Sequence, residues 1–249
     1  MAAFKIAAAQ VASKRGDIVG NVATHVVAMA AAARHGVSLL VFPELSLTGY
    51  ELDIAADLAI TETDNRLDPL LALAHRENIE AIVGAPVQEG TGKPKLGAFV
   101  IGSNGVRKTY HKMHLGGDEP TYFSPGAGGP LLLTVAGRKV GIAICADSSQ
   151  PEHPEAYALS GAEIYAAGVF LTDAWYQTDV PRLATYARTH GMLTVMANHA
   201  ASVGTYQSMG KSTIWTPDGE VLVQAAGTND ALLIASSSNG GWRGEVVAL

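Results

Sequence analysis

Short apolar runs alternate along this chain with segments that favour helices, and no other feature of the sequence limits the fold as strongly. Residues 4–11 are apolar and short enough for a strand, and residues 17–34 then have the composition of a helix that Gly36 closes. Such alternation is typical of α/β folds, in which helices cover the faces of a sheet. Further strands are predicted at 39–42, 79–87, 164–167 and 193–198, and further helices at 64–78, 151–161 and 178–191.

Some of the apolar runs are joined by short turns rather than by helices. Two hairpins are predicted, one over 97–110 with its turn at 102–105 and one over 131–144 with its turn at 136–138. Hairpins pair strands antiparallel, whereas crossover helices pair them parallel, so we predict mixed sheets. The closing strands are predicted at 212–215, 220–224 and 231–235.

The overall composition limits the number of domains and the class of partner. No Pro- or Ser-rich linker or repeat divides the chain, so residues 1–249 are predicted to form a single domain. With 17 basic and 23 acidic side chains, the net charge is −6, and we expect neither nucleic-acid nor membrane-surface binding. The sequence lacks a long apolar span or a signal-like start, so a cytoplasmic protein is expected. Charged residues make up only 16%, which suggests extensive surface that is buried or covered by other subunits in a homo-oligomer.

Three reactive side chains, Glu44, Lys112 and Cys145, each follow a predicted strand. Ligands gather beyond the carboxyl ends of strands in sheets with crossover helices, so these three side chains could share one pocket. The single cysteine also fits a buried small hydrophobe, but the turn-forming residues 146–150 after it predict a thiol that is presented to a pocket. Glu44 and Lys112 also fit surface charges. Burial of Glu44 after an apolar strand would raise its pKa and suit it to a general base.

Longer motifs surround these residues and keep a fixed order along nearly the whole chain. They are Phe42-Pro43-Glu44-Leu45, His111-Lys112-Met113-His114-Leu115, Glu119 with Phe123-Ser-Pro125-Gly126, and Gly141-Ile-Ala-Ile-Cys145-Ala-Asp147. This set resembles the nitrilase, or carbon–nitrogen hydrolase, superfamily, whose members use a Glu–Lys–Cys triad. The resemblance implies a four-layer α-β-β-α sandwich with two mixed β-sheets, paired subunits and a cofactor-free enzyme of the amidase type.

The resemblance also implies a role for each motif residue. Glu44 would take the proton of the Cys145 thiol, whose free pKa of about 8.5 leaves little thiolate at neutral pH, and Lys112 would favour its ionisation. Attack on a small amide would give an oxyanion stabilised by Lys112 and the backbone N–H of Ala146, and then a thioester that water hydrolyses. Glu119 matches a second glutamate that positions the lysine or the substrate. The expected reaction releases ammonia or an amine and a carboxylic acid.

The motifs fix the substrate contacts less firmly. Tyr50, Tyr122 and Trp175 are candidate pocket walls because aromatic rings offer rigid contact area, although core packing fits each of them as well. Many amidases of the superfamily have Arg-Phe-Pro-Glu shortly after the nucleophile, whereas Ser148-Ser149-Gln150 here supplies no basic group for a substrate carboxylate. Nitrilases usually carry Cys-Trp-Glu, so Cys145-Ala146-Asp147 favours amides over nitriles.

Other functions fit parts of the sequence. An N-carbamoyl amine hydrolase, a nitrilase or an acyl transferase would use the same nucleophile with a different pocket. A metal site on His111 and His114 is disfavoured because three-residue spacing after a strand does not put both on one face. A Cys–His hydrolase would pair the cysteine with His199 or His153. The glycine-rich segment 126–130 lacks the Lys-Ser/Thr of a phosphate-binding loop. A non-catalytic scaffold that binds a ligand or partner is the alternative of another class.

Overall fold

Two mixed β-sheets lie face to face at the centre of the molecule, which is described from a computed structural model covering residues 3–202, 206–239 and 241–249. The strands, numbered in chain order, are β1 (Lys5–Gln10), β2 (Leu39–Val41), β3 (Glu80–Val87), β4 (Lys95–Gly102), β5 (Gly105–His111), β6 (Leu132–Val135), β7 (Arg138–Ile144), β8 (Ile164–Val169), β9 (Leu193–Asn198), β10 (Thr213–Trp215), β11 (Val221–Gln224), β12 (Ala231–Ser238) and β13 (Gly241–Ala248). The helices are α1 (Ile18–Arg34), α2 (Asp68–Glu77), α3 (Glu119–Tyr122), α4 (Glu152–Leu159) and α5 (Asp173–His190).

Both sheets combine parallel and antiparallel pairing, as predicted. The first has the strand order β13-β12-β1-β2-β3-β4-β5, and its parallel pairs are β1 with β2 and β2 with β3. The second has the order β11-β10-β9-β8-β7-β6, with β7, β8 and β9 parallel. The two predicted hairpins are the antiparallel pairs β4–β5 and β6–β7. The carboxyl ends of β2, β5 and β7, which precede the three reactive side chains, therefore lie at one end of the sandwich.

The side chains between and outside the sheets define four layers. Ile6 and Val41 of the first sheet pack against Ile142 and Val195 of the second, which makes the inner core. A second cluster joins α1 and α2 to the outer face of the first sheet, and a third joins α4 and α5 to the outer face of the second. The architecture is the α-β-β-α sandwich that the resemblance implied.

Helix α1 illustrates how local sequence sets these layers. It begins at Asp17, whose side chain accepts a hydrogen bond from the backbone N–H of Gly20 at 2.9 Å. Its buried side chains include Ile18, Val22 and Met29, which face the first sheet. Within the described residues, none of the helices is long and apolar enough to cross a membrane.

Three elements differ from the sequence prediction, and the first is the short helix α3, which is not predicted. Helix α5 begins at Asp173 rather than near residue 178, and it continues through Pro181. A proline without a backbone N–H is favoured in a first turn, which is why sequence reasoning begins the helix close to it. The last strand, β13, is not predicted at all. It is mostly exposed and contains glycine and charged residues, so it lacks the alternating pattern of a half-buried strand.

Candidate active site

Glu44 lies in a tight turn that passes between the two sheets beyond β2. A Cβ atom on Gly84 of β3 would lie 2.5 Å from a backbone nitrogen of this turn, and one on Gly168 of β8 would lie 2.5 Å from a backbone oxygen. Only glycine fits at such distances, so the turn is wedged between one glycine from each sheet. His199, which follows β9, donates its Nε2–H to the backbone carbonyl of Glu44 at 2.7 Å. Packing and hydrogen bonding thus fix the turn from both sheets.

Lys112, the first residue after β5, lies between two carboxylates. Its Nζ is 2.6 Å from Oε1 of Glu44 and 2.7 Å from Oε1 of Glu119, and all three side chains are buried. Glu119 also accepts hydrogen bonds from the Tyr50 hydroxyl at 2.7 Å and from the backbone N–H of Gly116 at 2.8 Å. Neither Lys112 nor Glu119 is therefore a surface charge. Oε2 of Glu44 is buried without a hydrogen-bond partner among the described residues, which leaves that oxygen free to accept a proton.

Cys145 stands at the sharp bend between β7 and a 3₁₀ turn, Cys145–Ser149. Its φ of 43° lies in the left-handed region, which is unfavourable for a residue other than glycine and must be held by surrounding contacts. The residue is half-buried rather than enclosed in the core, and Sγ is 4.0 Å from the backbone oxygen of Phe170. The bend presents the thiol to a cavity, as the polar turn after the strand predicts.

The three side chains perturb one another's protonation. Burial raises the pKa of Glu44 to about 7, although the charge of Lys112 opposes the shift. Burial and the charge of Glu44 also raise the pKa of Cys145 well above its usual value, and Lys112 offsets this only in part. Lys112 by itself favours ionisation of the Cys145 thiol, as expected. Burial and the charge of Glu44 outweigh that contribution, so the pKa of the thiol still rises. Burial lowers the pKa of Lys112, but the anionic neighbours raise it by more. The pKa of Lys112 therefore lies above its usual value.

Lys112, Glu119 and Cys145 form the inner end of a cavity of about 170 Å³, and Glu44 reaches that end through its ion pair with Lys112 rather than as part of the lining. An aromatic cluster covers one side, where the rings of Tyr50 and Phe170 stack with centroids 5.1 Å apart and Tyr206 packs edge-on against both. The lining consists of Tyr50, Leu52, Lys112, Gly116, Gly117, Asp118, Glu119, Cys145, Ala146, Ser149, Phe170, Thr172, Trp175, Asp179 and Tyr206. The volume suits a small molecule whose uncharged part contacts the aromatic side.

Most candidate substrate contacts lie where the sequence analysis expects them. Tyr50, Ala146 and Trp175 line the cavity. The described lining does not include Tyr122, which corrects its assignment as a pocket wall. Tyr122, the last residue of the short helix α3, is half-buried and packs against the core between the sheets.

The histidines of the alternative sites have other partners. His153 bonds the hydroxyls of Tyr110 and Tyr165, and Nε2 of His111 lies 3.5 Å from Glu89. His199 bonds the Glu44 backbone rather than the nucleophile. Among the described residues, no three His, Cys, Asp or Glu side chains form a group that could hold a metal ion.

Several lining residues were not singled out from the sequence. Phe170 and Thr172 follow β8, so the same strand-end rule that selects Cys145 could have selected them. Ser149 lies in the turn after the nucleophile. Tyr206 follows no strand and belongs to no motif, and no signal in the sequence marks it as a wall of this cavity.

Comparison with known proteins agrees with this geometry. The family model described as carbon-nitrogen hydrolase matches residues 5–243. A nitrilase from Pyrococcus abyssi is 29% identical over 211 residues, which are 82% of this chain and 78% of the relative. An (R)-stereoselective amidase from a Pseudomonas species is 28% identical over 226 residues, 89% of this chain and 81% of the relative.

A solved structure extends the comparison to the reacting group. The amidase from Nesterenkonia sp. AN1 superposes with a TM-score of 0.85 at 25% identity, covering 94% of this chain and 90% of that one. That structure is of a glutamate-to-glutamine variant and shows covalent addition of the acetamide moiety of fluoroacetamide at the active site cysteine.

Proposed function

This chain belongs to the carbon–nitrogen hydrolase family, and from that premise we propose that it hydrolyses a small, non-peptide amide to a carboxylic acid and ammonia or an amine. One observation carries the proposal: Lys112, buried between Glu44 and Glu119, shares the inner end of one cavity with the only cysteine of the chain. Apolar side chains would stabilise this region at least as well as a buried lysine between two carboxylates. The arrangement, beside a thiol in a left-handed bend, therefore points to a chemical role rather than to stability.

The first half of the reaction follows from these positions. Glu44 takes the proton of the Cys145 thiol, and the sulfur attacks the amide carbonyl carbon to form a tetrahedral intermediate. The ammonium of Lys112 and the backbone N–H of Ala146 stabilise the developing oxyanion. Protonated Glu44 then donates its proton to the leaving nitrogen, the carbon–nitrogen bond breaks, and a thioester on Cys145 remains.

The second half uses the same groups in reverse. Glu44, again ionised, takes a proton from water, and the hydroxide attacks the thioester carbonyl. The carbon–sulfur bond breaks, the acid leaves, and the proton held by Glu44 returns to the sulfur. The raised pKa of Glu44, about 7, suits this alternation because a base with a pKa near the working pH both accepts and returns a proton readily.

Amide hydrolysis is favoured over nitrile hydrolysis by the residue beside the nucleophile. Ala146 follows Cys145 where superfamily nitrilases usually have tryptophan. The amidase relatives give further support, since one of them is named for amides and another carries the acetamide moiety on its cysteine. Tyr50, Ala146 and Trp175 are proposed to contact the substrate.

The decisive experiment is intact-protein mass spectrometry after mixing with small amides, N-carbamoyl amines and nitriles, with ammonia release followed in parallel. Because Cys145 is the only cysteine, a thiol adduct identifies the nucleophile without further mapping. An adduct with ammonia release from an amide supports the proposal, and Cys145→Ala is the matched control. Preference for a carbamoyl amine or nitrile would reassign the substrate. No adduct, no ammonia and a native thiol inert to iodoacetamide would favour a non-catalytic scaffold.

We further propose that the protein forms a homodimer or larger homo-oligomer. The charged fraction is low, at 16%, and large apolar side chains are exposed on the outer helices, with Leu159 of α4 at 83%. Association of copies through such faces would cover them. Size-exclusion chromatography with light scattering tests this, and a species of only 25.9 kDa at micromolar concentration would contradict it.

A further inference from the structure

Asp147, two residues after Cys145, has a fully buried carboxylate that receives four hydrogen bonds. Its Oδ1 accepts from the backbone N–H groups of Met113 at 3.0 Å and His114 at 2.9 Å. Its Oδ2 accepts from the backbone N–H of Ile144 at 3.0 Å and from the hydroxyl of Tyr110 at 2.8 Å. Three of the four donors therefore belong to the main chain rather than to side chains.

The positions of these donors give the carboxylate its significance. Met113 and His114 directly follow Lys112, and Ile144 directly precedes Cys145. One oxygen therefore holds the chain that leaves the lysine, and the other holds the chain that enters the nucleophile. β5 and β7 belong to different sheets, so no strand pairing fixes these two segments relative to each other.

The backbone at Cys145 needs such support. Its φ of 43° is unfavourable for a side chain with a Cβ atom, and conformations of this kind persist only where surrounding contacts hold them. The bond from the Ile144 N–H to Asp147 closes the turn immediately ahead of the strained residue. Hydrogen bonds to a carboxylate are also stronger than those between neutral groups.

A chain of buried polar groups lies behind the Tyr110 hydroxyl, the one side-chain donor to the carboxylate. Burial lowers the pKa of His153, so its ring is neutral near pH 7. The Tyr165 hydroxyl is 2.8 Å from Nδ1 of this ring, and Nε2 is 2.9 Å from the Tyr110 hydroxyl. Because Tyr110 donates to Asp147, it accepts from Nε2–H, and Nδ1 accepts from Tyr165. Each hydrogen bond from Tyr165 to Asp147 then has one donor and one acceptor.

We propose that Asp147 is a positioning residue that sets the distance between Lys112 and Cys145 by clamping the two backbone segments that carry them. The proposal deepens the proposed hydrolysis and rests on it. Asp147 contacts neither the cavity nor a reacting atom among the described residues, so it acts only through the lysine and the nucleophile.

The test is Asp147→Asn, which keeps the shape of the side chain. An amide nitrogen cannot accept a hydrogen bond, so whichever way it is turned one pair of donors loses its acceptor. We expect kcat to fall by about 100-fold, because misplacement of reacting groups by about 1 Å costs that much, with KM changed less than about threefold. Alkylation of Cys145 by iodoacetamide should slow by about tenfold or more, since the thiolate loses its placed ammonium.

Tyr165→Phe is the matched control. It removes one buried hydrogen bond at the far end of the same polar chain and leaves the three backbone bonds of Asp147 intact. We expect Tyr165→Phe to lower Tm about as much as Asp147→Asn does. The kcat and the alkylation rate of Tyr165→Phe should stay within about threefold of wild type. Equal loss of kcat in both variants would mean that general loosening, not the clamp, is responsible, and would overturn the proposal.

A second variant keeps the proposal testable if Asp147→Asn folds poorly. Asp147→Glu keeps both acceptor oxygens but displaces them by one methylene, and the same loss of kcat at unchanged KM is expected. Wild-type kcat and alkylation rate in whichever variant folds would overturn the clamp. If the wild-type protein hydrolyses no amide, the proposed function fails, while the alkylation rates of wild type, Asp147→Asn and Tyr165→Phe still decide the role of Asp147.

Discussion

The inner end and the mouth of the cavity differ sharply in how they are held. At the inner end, Glu44, Lys112 and Glu119 are at most 2% exposed and joined by two short ion pairs. At the mouth, Trp175 is 58% exposed and Tyr206 is 42% exposed. The groups that we propose to react are thus held by both sheets, whereas the rings at the mouth are exposed. In the proposed reaction, chemistry and specificity therefore belong to different parts of one cavity.

Loss of the nucleophile is the strongest way to separate these regions. Cys145→Ala should lower kcat by on the order of 10⁴-fold or more, because no thioester can form. Tm should stay close to wild type, since the side chain is half-buried and its contact with the backbone oxygen of Phe170 is long, at 4.0 Å. Steady-state kinetics and thermal unfolding measure the two effects. Retained turnover would show that the inner end does not hold the nucleophile.

Removal of the base should have the next largest effect. Glu44→Gln keeps an oxygen for the ammonium of Lys112 but cannot accept the thiol proton, so kcat should fall by about 10²- to 10⁴-fold. Circular dichroism should show unchanged secondary structure. If kcat of this variant stayed within tenfold of wild type, another group would have to act as the base.

The pH profile should report the same base. Glu44 is active when ionised, and its pKa is raised to about 7, so kcat/KM should rise with pH and level off above about pH 7. Below that value the rate should fall about tenfold per pH unit, because the protonated fraction grows in that proportion. In Glu44→Gln this acidic limb should disappear. A wild-type profile that is flat between about pH 5 and pH 8 would exclude Glu44 as the titrating group.

The glycine wedge tests whether the inner end depends on the spacing of the sheets. A Cβ atom at residue 168 would meet a backbone oxygen of the Glu44 turn at 2.5 Å. Gly168→Ala should therefore lower the free energy of unfolding by about 1–3 kcal/mol and kcat by about 10- to 100-fold. Gly129→Ala is the control, because a Cβ there meets no described atom within 4 Å. Equal behaviour of the two variants in urea unfolding and kinetics would refute the wedge.

The mouth should give the smallest effect. Trp175→Ala should raise KM about three- to tenfold for amides with long or aromatic groups and leave the smallest amide nearly unaffected. Tyr122→Phe should change the KM of no amide in the series, since Tyr122 is not among the lining residues and packs against the core. A chain-length series of amides measures both variants. A large fall in kcat for every amide in Trp175→Ala would place that ring at the inner end rather than at the mouth.

The same division explains what the sequence could predict. Glu44 and Cys145 could be singled out because each follows a buried apolar strand, and burial leaves a strong pattern. Lys112 follows β5, which is polar and partly exposed, so the motif around it was the stronger signal. Strand β13 and Tyr206 were not predicted, because exposed segments tolerate many residue types and therefore show no recognisable sequence pattern. The rise in the pKa of Cys145 also escaped prediction, since it comes first from burial of the thiol and then from the charge of Glu44, and both depend on the three-dimensional structure. Asp147 stood inside a motif, but its two-sided hydrogen bonding is visible only when β5 and β7 are seen side by side.

In the proposed mechanism, the pair of glycines around the Glu44 turn ties the thickness of the inner core to the rate of the reaction. Gly84 belongs to one sheet and Gly168 to the other, and the turn that carries Glu44 passes between them. A larger or smaller side chain anywhere in the layer between the sheets would change the gap through which this turn passes. Core substitutions far from the cavity would then behave as kinetic variants, so the selection that keeps the sandwich tightly packed would also be selection on catalysis.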